Sequence, residues 1–312
     1  MIKGDNMKKL VMLLISVFVT FSNTYSVRAS NSKNVENQSY DTTMKQDLLV
    51  LMMAYPEYVT GVQKDNNGHV YLVMKSGQKI LYDDKKQKSF EEKLNNPDLQ
   101  DMMEQVYPLT SVTKLMDKNF DPGRSRVYGL VNDVYGSSRQ QIEKNLISVS
   151  TNYGVYRFNK NNKAAESLKS AFKELSELAK TNNKIGGFLS PCQGTYNYRV
   201  ISGTGRLSPH AYGVAIDLAS DKRDYWKWAS PEQGEKRLLS YSKEVAEVFE
   251  KNNFVWGGKW GHFDILHFEY RPEIIMKARY FKNENIGSWY ERFPKEDENI
   301  NAYINNIEEA LK

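Results

Sequence analysis

A chain of 312 residues, 40% of them hydrophobic, is long enough for one large domain or two small ones with a buried core. The formal net charge is +5, and residues 1–29 supply three of these charges through four basic side chains and one acidic side chain. The rest of the chain lacks the strongly basic surface of a nucleic-acid-binding protein, so we expect no nucleic-acid partner.

Residues 1–29 have the order of a secretory signal peptide. Three lysines precede an apolar run at residues 10–21, and the segment ends in the small residue Ala29. The run is short for a membrane-spanning helix, although an uncleaved N-terminal anchor is the alternative interpretation. We therefore expect a secreted, extracytoplasmic protein that has no membrane span after cleavage of the signal peptide.

A leader and an N-terminal extension are predicted next. Residues 30–40 are polar and rich in Asn and Ser, which is typical of a flexible leader. Residues 41–118 form the predicted α/β extension, packed on the following domain, with Gly77 in the turn of a hairpin. The predicted elements of the extension are a helix at 48–53, hairpin strands at 69–74 and 79–82, and a helical segment at 89–106.

The main domain is predicted to span residues 119–285, beginning near a turn signal at Asp121-Pro-Gly-Arg. An apolar stripe with helical spacing indicates a helix over residues 162–181. A second helix begins at Ser230-Pro-Glu-Gln, a capping box with Pro at the first helical position, and extends to Asn252.

Short β-prone runs lie between and after these helices, at residues 198–201, 214–218 and 266–270. Strands interleaved with long helices predict an α+β fold, in which helices back a small antiparallel sheet. The last segment, 286–312, carries one more amphipathic stripe and is predicted to be a C-terminal helical tail.

Three of the four histidines lie in two short segments that also contain acids, residues 208–217 and 256–269. A zinc hydrolase needs three nitrogen or carboxylate ligands and a fourth position for water, whose pKa the metal lowers. A separate carboxylate must take a proton from that water without binding the metal. The candidate ligands are His210, Asp217 and His267, and the candidate bases are Asp264 and Glu269.

The first segment has a spacing that suits a zinc hydrolase. In a strand over residues 214–218, Asp217 lies on one face, and Gly213 permits a bend that returns His210 to that face. The alternative metal chemistry is the two-histidine, one-carboxylate iron triad of oxygenases. That triad usually places its first histidine and its acid two residues apart, whereas His210 and Asp217 are seven apart.

The second segment supplies the rest of the site. In a strand over residues 266–270, His267 and Glu269 share one face, and Asp264 lies in the loop just before it. Each residue alone has an ordinary structural explanation, such as a turn acid or a hydrogen-bonded histidine. The joint pattern of the two segments favours a metal site.

Two motifs carry a family resemblance. The pattern Ser-x-His-x-x-Gly-x-Ala-x-Asp matches residues 208–217, and the pattern acid-x-x-His-Phe-Glu matches residues 264–269. With these motifs, the stretch from about residue 128 to 281 resembles the zinc D-alanyl-D-alanine carboxypeptidase and L-alanyl-D-glutamate endopeptidase family. This family includes vancomycin-resistance carboxypeptidases, sporulation-associated wall hydrolases and phage endolysins. The resemblance implies the D-Ala-D-Ala metallopeptidase (hedgehog-like) fold and one Zn²⁺ ion as cofactor.

The resemblance also implies residue roles. It implies His210, Asp217 and His267 as zinc ligands, Asp264 as general base and acid, and Glu269 behind the ligands. Family members use an upstream arginine to bind substrate and stabilise the oxyanion. Arg199 is similar to that residue, with Arg206 as the substitute. Ser208 is implied as a contact to substrate or to the first ligand. Trp256 and Trp260 are candidates to line the substrate cleft, although aromatic residues also build cores.

The implied substrate is the stem peptide of peptidoglycan, which places the enzyme at the cell wall. Asp264, in a Trp-Gly-Gly-x-Trp context, is closer to the L-alanyl-D-glutamate endopeptidase branch, since the D,D-carboxypeptidase branch tends to use Glu. Lys259 stands where the endopeptidase branch often has an acid, so both bonds stay open. The alternative from another class is a non-catalytic zinc-containing cell-wall-binding domain, against which the presence of Asp264 argues.

Two further residues have open roles. His262 can be a fourth ligand, a substrate contact or a surface residue, and the last two are favoured because a fourth protein ligand closes a catalytic site. Cys192 is the single cysteine, which excludes an intramolecular disulfide. A thiol nucleophile at Cys192 is the alternative to the metal mechanism.

Overall fold

The computed structural model describes residues 39–281, 288–294 and 297–312. The predicted signal peptide and residues 30–38 of the predicted leader lie outside these ranges. Residues 39–40, the end of that leader, already belong to a helix, α1, at residues 39–54.

The chain divides into a unit of residues 1–45 and a compact unit of residues 46–312. The predicted boundary near residue 118 lies inside the second unit, and the domain limits stay a prediction. Among the helices of the described ranges, none combines the length and apolarity that crossing a bilayer requires.

The extension contains a three-stranded antiparallel sheet in the order β1-β2-β3. Its strands are β1 (Val59–Lys64), β2 (Val70–Met74) and β3 (Lys79–Leu81). The predicted hairpin of β2 and β3 is confirmed, and Gly77 adopts a φ of 90° in its turn, a conformation that suits glycine. Strand β1 was not predicted, since Gly61 interrupts its short apolar pattern.

The predicted helical segment at 89–106 is two short helices, α2 (Phe90–Asn95) and α3 (Leu99–Met103). Pro97 separates them, because proline disfavours a helical conformation in the residue before it. Each helix starts with a capping box, in which Ser89 pairs with Glu92 and Asp98 pairs with Asp101.

The next segment leads to the long helix of the main domain. Its elements are α4 (Tyr128–Tyr135), α5 (Arg139–Asn145), the hairpin β4 (Leu146–Thr151) with β5 (Gly154–Asn159), α6 (Ala164–Thr181) and α7 (Ile185–Leu189). The predicted helix at 162–181 is confirmed as α6, which buries Leu168, Phe172 and Leu175 on one face.

A four-stranded antiparallel sheet follows, as predicted for an α+β fold. Its strands are β6 (Cys192–Gly194), β7 (Ala215–Ala219), β8 (Phe254–Trp256) and β9 (His267–Tyr270), in the order β6-β7-β9-β8. The predicted strand at 198–201 was wrong. That run makes only an isolated bridge between Val200 and Leu207, and β6 occupies the edge of the sheet.

Helices α8 (Pro209–Tyr212), α9 (Pro231–Ser240), α10 (Lys243–Lys251), α11 (Pro272–Tyr280) and α12 (Glu298–Leu311) complete the chain. The prediction of one helix from Ser230 to Asn252 was wrong: Tyr241 adopts extended backbone angles, and Ser242 caps a new helix by accepting from the Val245 N–H. The C-terminal stripe is confirmed as α12, in which Asn306 accepts a hydrogen bond from the backbone of β1.

Aromatic packing joins the four-stranded sheet to the helices. Phe268 of β9 stacks on Phe249 of α10 with ring centroids 4.3 Å apart. The ring of Trp256, on β8, lies nearly parallel to the ring of Phe268. Phe249 in turn meets Phe172 of α6 edge to face at 6.1 Å. The core therefore sits between this sheet and helices α6 and α10.

Buried polar contacts bind the extension to the main domain. Tyr55 donates a hydrogen bond to Glu273 at 2.7 Å, and Tyr107 donates one to Glu250 at 2.6 Å. Lys277 forms an ion pair with Asp47 at 2.6 Å. Breaking a buried pair of this kind by removing one partner costs about 3–5 kcal/mol, so these contacts hold residues 46–118 to the rest of the second unit.

Candidate metal site

His210 is presented by the short helix α8. Ser208 caps the helix by accepting from the His210 backbone N–H at 3.3 Å, and Gly213 ends it with a φ of 67°. A Cβ at position 213 would lie 2.4 Å from the Leu146 side chain, so only glycine fits there. The predicted bend at Gly213 is therefore confirmed.

The orientation of the His210 ring is fixed by a hydrogen bond at Nδ1. His210 Nδ1 lies 2.6 Å from the carbonyl oxygen of Thr195, a group that can only accept, so Nδ1 carries the hydrogen. The other ring nitrogen, Nε2, then faces Asp217 and His267. A backbone carbonyl on the outer nitrogen is the arrangement that orients metal-binding histidines.

The other two candidate ligands are direct neighbours in the sheet. Asp217 of β7 pairs with His267 of β9, so their side chains lie on the same face. His267 Nδ1 lies 2.8 Å from Asp217 Oδ1, and His210 Nε2 lies 3.2 Å from Asp217 Oδ2. The two imidazole nitrogens are 3.3 Å apart. One candidate donor atom from each of the three residues therefore lies within 4.8 Å of the other two.

The triangle fits a divalent cation of the zinc type. In a tetrahedral zinc site with bonds of about 2.0–2.1 Å, ligand atoms lie about 3.3 Å apart. The two imidazole nitrogens have this spacing, at 3.3 Å, and each lies within 3.2 Å of one carboxylate oxygen of Asp217. Two imidazoles and one carboxylate are also a donor set that zinc accepts, and they leave its fourth position open.

The ligand side chains are strongly coupled electrostatically. Burial alone would raise the pKa of Asp217, but hydrogen bonds from His210 and His267 outweigh it and hold that pKa well below its usual range. Burial would lower the pKa of His267, but Asp217 and Glu269 raise it to about 10. A cation that binds here must displace a proton, as expected for a site built from titratable ligands.

Glu269 lies behind His267. Its Oε2 is 4.0 Å from His267 Nε2, and both its oxygens bind Arg126, the Oε1 contact with Nε being 2.7 Å. Burial would raise the pKa of Glu269, but Arg126 keeps it well below the usual range. Sequence reasoning missed Arg126, since nothing in its loop indicates a partner 143 positions away.

Asp264 lies beside the three ligands. Its backbone N–H donates to Gly257 at 2.9 Å, and its carbonyl accepts from the His267 N–H at 3.1 Å. The half-buried carboxylate makes no hydrogen bond within the described residues. Burial raises the pKa of Asp264 to about 6, with Asp217 raising it further and His267 opposing. A carboxyl group of this pKa can both take and return a proton near neutral pH.

The two predicted arginines differ in availability. Arg199 is exposed, and its guanidinium has no hydrogen bond or ion pair within the described ranges. Burial and the charge of Asp264 raise the pKa of Tyr225, and the charges of Arg124 and Arg199 oppose this, so Arg199 and Asp264 both lie near that phenol. Arg206 donates to the Leu94 carbonyl. Of the two, Arg199 is the one that a substrate can reach.

The two predicted cleft tryptophans are buried. The Trp256 indole N–H donates to the Ile265 carbonyl at 2.7 Å, and its ring is part of the core described above. The Trp260 N–H donates to the Pro122 carbonyl at 2.8 Å, and its ring lies 5.7 Å from the His267 ring. Both positions support neighbouring side chains and offer little ring surface to a substrate.

Three nearby side chains lie outside the ligand triangle. His262 Nδ1 contacts Asp121 at 2.7 Å, and its ring stacks on Phe90. Lys259 is buried in an ion pair with Glu250 at 2.6 Å, so it does not face the ligands. Cys192 donates to the backbone carbonyl of Asp217 at 3.1 Å, and burial raises the pKa of its thiol, which opposes a thiolate nucleophile.

Comparisons with known proteins agree with this geometry. Residues 202–270 match the model of a family described as D-alanyl-D-alanine carboxypeptidase. Over 105 residues, one third of the chain, the sequence is 33% identical to the peptidoglycan L-alanyl-D-glutamate endopeptidase CwlK of Bacillus subtilis (strain 168). The chain spans 56% of that curated relative, and no solved structure matches. The predicted resemblance is confirmed: the region of this chain that holds His210, Asp217, Asp264 and His267 is similar to the D-alanyl-D-alanine carboxypeptidase family.

Proposed function

We propose that this protein is a zinc metallopeptidase that hydrolyses peptide bonds in the stem peptides of peptidoglycan. The observation that carries the proposal is the triangle of His210, Asp217 and His267 donor atoms, with the Asp264 carboxylate beside it. The family match and the name of the bacterial relative support the substrate class.

The residues divide the chemistry between them. A zinc ion held by the three ligands supplies Lewis acidity and makes water more acidic. Asp264 takes the proton from the attacking water and passes it to the leaving amine. The guanidinium of Arg199 binds the carbonyl oxygen as it gains negative charge. Ser208 and Glu269 keep the two histidine ligands in place.

Between the two bonds that the family cleaves, we favour the L-alanyl-D-glutamate bond over the terminal D-alanyl-D-alanine bond. The base is Asp264, as in the endopeptidase branch, and the relative carries the endopeptidase name. The unusual Lys259 has little bearing on the choice, because its ammonium group lies in the core against Glu250 and the Pro108 carbonyl.

Mass spectrometry of digested muropeptides distinguishes the two bonds. Release of the intact stem from L-alanine onwards supports the endopeptidase, whereas loss of a single D-alanine supports the carboxypeptidase. Absence of both products, with zinc-loaded protein and both substrates present, would contradict the proposed activity. In keeping with the substrate, we place the protein outside the cytoplasm, in association with the cell wall.

The second candidate is a non-catalytic wall-binding domain that keeps the metal ligands. Asp264 counts against it, since a carboxyl group whose pKa burial raises to about 6 beside the ligands is suited to proton transfer near neutral pH. Asp264→Ala is expected to lower kcat/KM by about 10²–10⁴-fold while zinc content is unchanged. Unaltered hydrolysis by this variant would show that another group accepts the proton.

A further inference from the structure

Residues 224–228 form a ledge beside the catalytic carboxylate. The Ile265 N–H donates to the Asp224 carbonyl at 2.8 Å, and the Trp226 N–H donates to the Phe263 carbonyl at 3.0 Å. These bonds pair Tyr225 with Asp264 across an antiparallel bridge. Cross-strand partners place their side chains on the same face, and the effect of Asp264 on the pKa of Tyr225 agrees with this proximity.

Trp228 extends this ledge into solvent. Its ring meets the Tyr225 ring edge to face, with centroids 5.0 Å apart, and its backbone N–H donates to the Tyr225 carbonyl at 2.9 Å. The residue is nevertheless 78% exposed, the highest value among the large hydrophobic residues that the described ranges leave exposed. A hydrogen-bonded turn therefore holds the indole of Trp228 in water. Its distance from Asp264 is on the order of 10 Å, the sum of the cross-strand separation between Asp264 and Tyr225 and the ring contact between Tyr225 and Trp228.

We propose that the Tyr225–Trp228 ledge binds a sugar ring of the glycan strand to which the stem peptide is attached. The inference rests on the proposed function and names a part of the substrate. A pyranose ring of an N-acetylated amino sugar has an apolar C–H face that stacks on an aromatic ring, and polar edges that stay in water. The indole of Trp228 can stack on the apolar face of the sugar, and the exposed polar residues near it in sequence suit the polar edges.

The surroundings of Trp228 favour one sugar ring over larger partners. Lys227, Ser230 and Glu232, its neighbours in sequence, are exposed, and Trp228 is the one large hydrophobic residue of this described segment that is exposed. A stable dimer interface covers about 800 Å² on each partner with an apolar centre. Insertion into a lipid surface needs several apolar side chains on one face. A sugar matches both the size of the apolar surface and its polar rim.

The location also selects between the two bonds. The L-alanyl-D-glutamate bond is one residue from the sugar, whereas the D-alanyl-D-alanine bond is four residues away. An extended peptide spans about 3.3–3.6 Å per residue, so a sugar on Trp228 brings the first bond near Asp264 and leaves the second beyond it. The ledge therefore favours the endopeptidase reaction on glycan-linked substrate.

The test compares a disaccharide-linked stem peptide with the same stem peptide free of sugar. For Trp228→Ala, the ratio of kcat/KM for the linked substrate to that for the free peptide is expected to fall about threefold to tenfold from the wild-type ratio. Trp228→Phe keeps an aromatic face, so its ratio should lie between the ratios of the wild type and of Trp228→Ala. Leu239→Ala, which removes a side chain that is 63% exposed on α9, should leave the ratio unchanged.

A binding measurement complements the kinetics. Calorimetric titration of Asp264→Ala with the N-acetylglucosamine–N-acetylmuramic acid disaccharide should show binding that the additional Trp228→Ala change weakens. An unchanged kinetic ratio, or equal loss on both substrates, overturns the sugar assignment while the peptidase activity stands. The sugar assignment is also overturned if the wild type forms a dimer or binds vesicles, and Trp228→Ala abolishes that association without altering the kinetic ratio. If the wild type cleaves neither substrate, the proposed function itself fails.

Discussion

Two clusters of potential metal ligands occur in the described part of the chain, and they differ in what lies at their centre. One is the triangle of His210, Asp217 and His267, and the other comprises Asp83, Asp84 and Asp98 in the extension. In the second cluster, the ammonium group of Lys88 lies 3.2 Å from Asp84, 2.9 Å from Asp98 and 2.6 Å from Asp101. The acidic cluster already contains a cation.

The electrostatics of the two clusters follow from this difference. Burial would lower the pKa of Lys88, but Asp101, Asp98 and Asp84 outweigh it and raise that pKa above its usual value. Near the triangle of His210, Asp217 and His267, the guanidinium of Arg126 is bound to Glu269. The triangle is thus neutralised only by a proton on its own histidine, which a metal can replace. A group of neighbouring acids is therefore not enough to indicate a metal site. The triangle is the better candidate because it has imidazole nitrogens and no lysine or arginine side chain paired with Asp217 in the described residues.

The largest effect is expected from the triangle itself. His210→Ala or Asp217→Ala should lower peptidase kcat/KM by about 10³-fold or more, because the Lewis acid is lost. Asp98→Asn, a change in the acidic cluster, should leave kcat/KM of the folded protein within about twofold, since Asp98 bonds Lys88 and the start of α3 and is not one of the three ligands. A loss of activity in Asp98→Asn equal to that in Asp217→Ala would break the distinction between the clusters.

Removal of the built-in cation should destabilise the acidic cluster. Lys88→Met removes the buried ammonium group that pairs with Asp98 and Asp101 and is expected to lower the free energy of unfolding by about 3–5 kcal/mol. Lys86→Met, which removes an exposed lysine 3.3 Å from Asp84, should cost at most about 1 kcal/mol. Denaturant unfolding measures both. Millimolar Ca²⁺ should restore part of the lost stability in Lys88→Met alone; equal stability of the two variants would refute the role of Lys88.

The support behind His267 should have a smaller effect. Glu269→Gln is expected to weaken zinc affinity by about 10–100-fold, as is typical for a carboxylate behind a histidine ligand. Glu273→Gln is the matched control, because Glu273 is also a buried partner of an arginine but does not face the ligands. Competition with a chelator measures the affinity of both. Equal zinc affinities would show that Glu269 acts only on folding.

The smallest effect is the acid limb of the pH profile. Asp264 accepts a proton only when ionised, so kcat/KM should fall as the pH drops through its pKa of about 6. A nearby dication favours the ionised form and moves the limb to lower pH. The fall between pH 7 and pH 5 is therefore at most about tenfold. An increase in kcat/KM as the pH is lowered from 7 to 5 would exclude Asp264 as the base.

The sequence predicted the triangle because its information is local. Strand alternation and the glycine bend place Asp217 and His210 together, and the second motif carries His267 with Asp264. Arg126 was missed because its pairing with Glu269 depends on tertiary packing across 143 positions. The break at Tyr241 was missed because the apolar stripe continues through it, although Ser242 supplies a cap. The packing of the extension likewise depends on buried partners, such as Tyr107 and Glu250, that no local pattern links.

The central claim is that two imidazoles and one carboxylate hold a single metal ion. Elemental analysis of protein purified without chelator tests it most directly. The account predicts about one zinc per chain in the wild type and in Asp98→Asn, and almost none in Asp217→Ala or His210→Ala. Wild-type protein without zinc after addition of the metal, or full zinc content in both ligand variants, would contradict it.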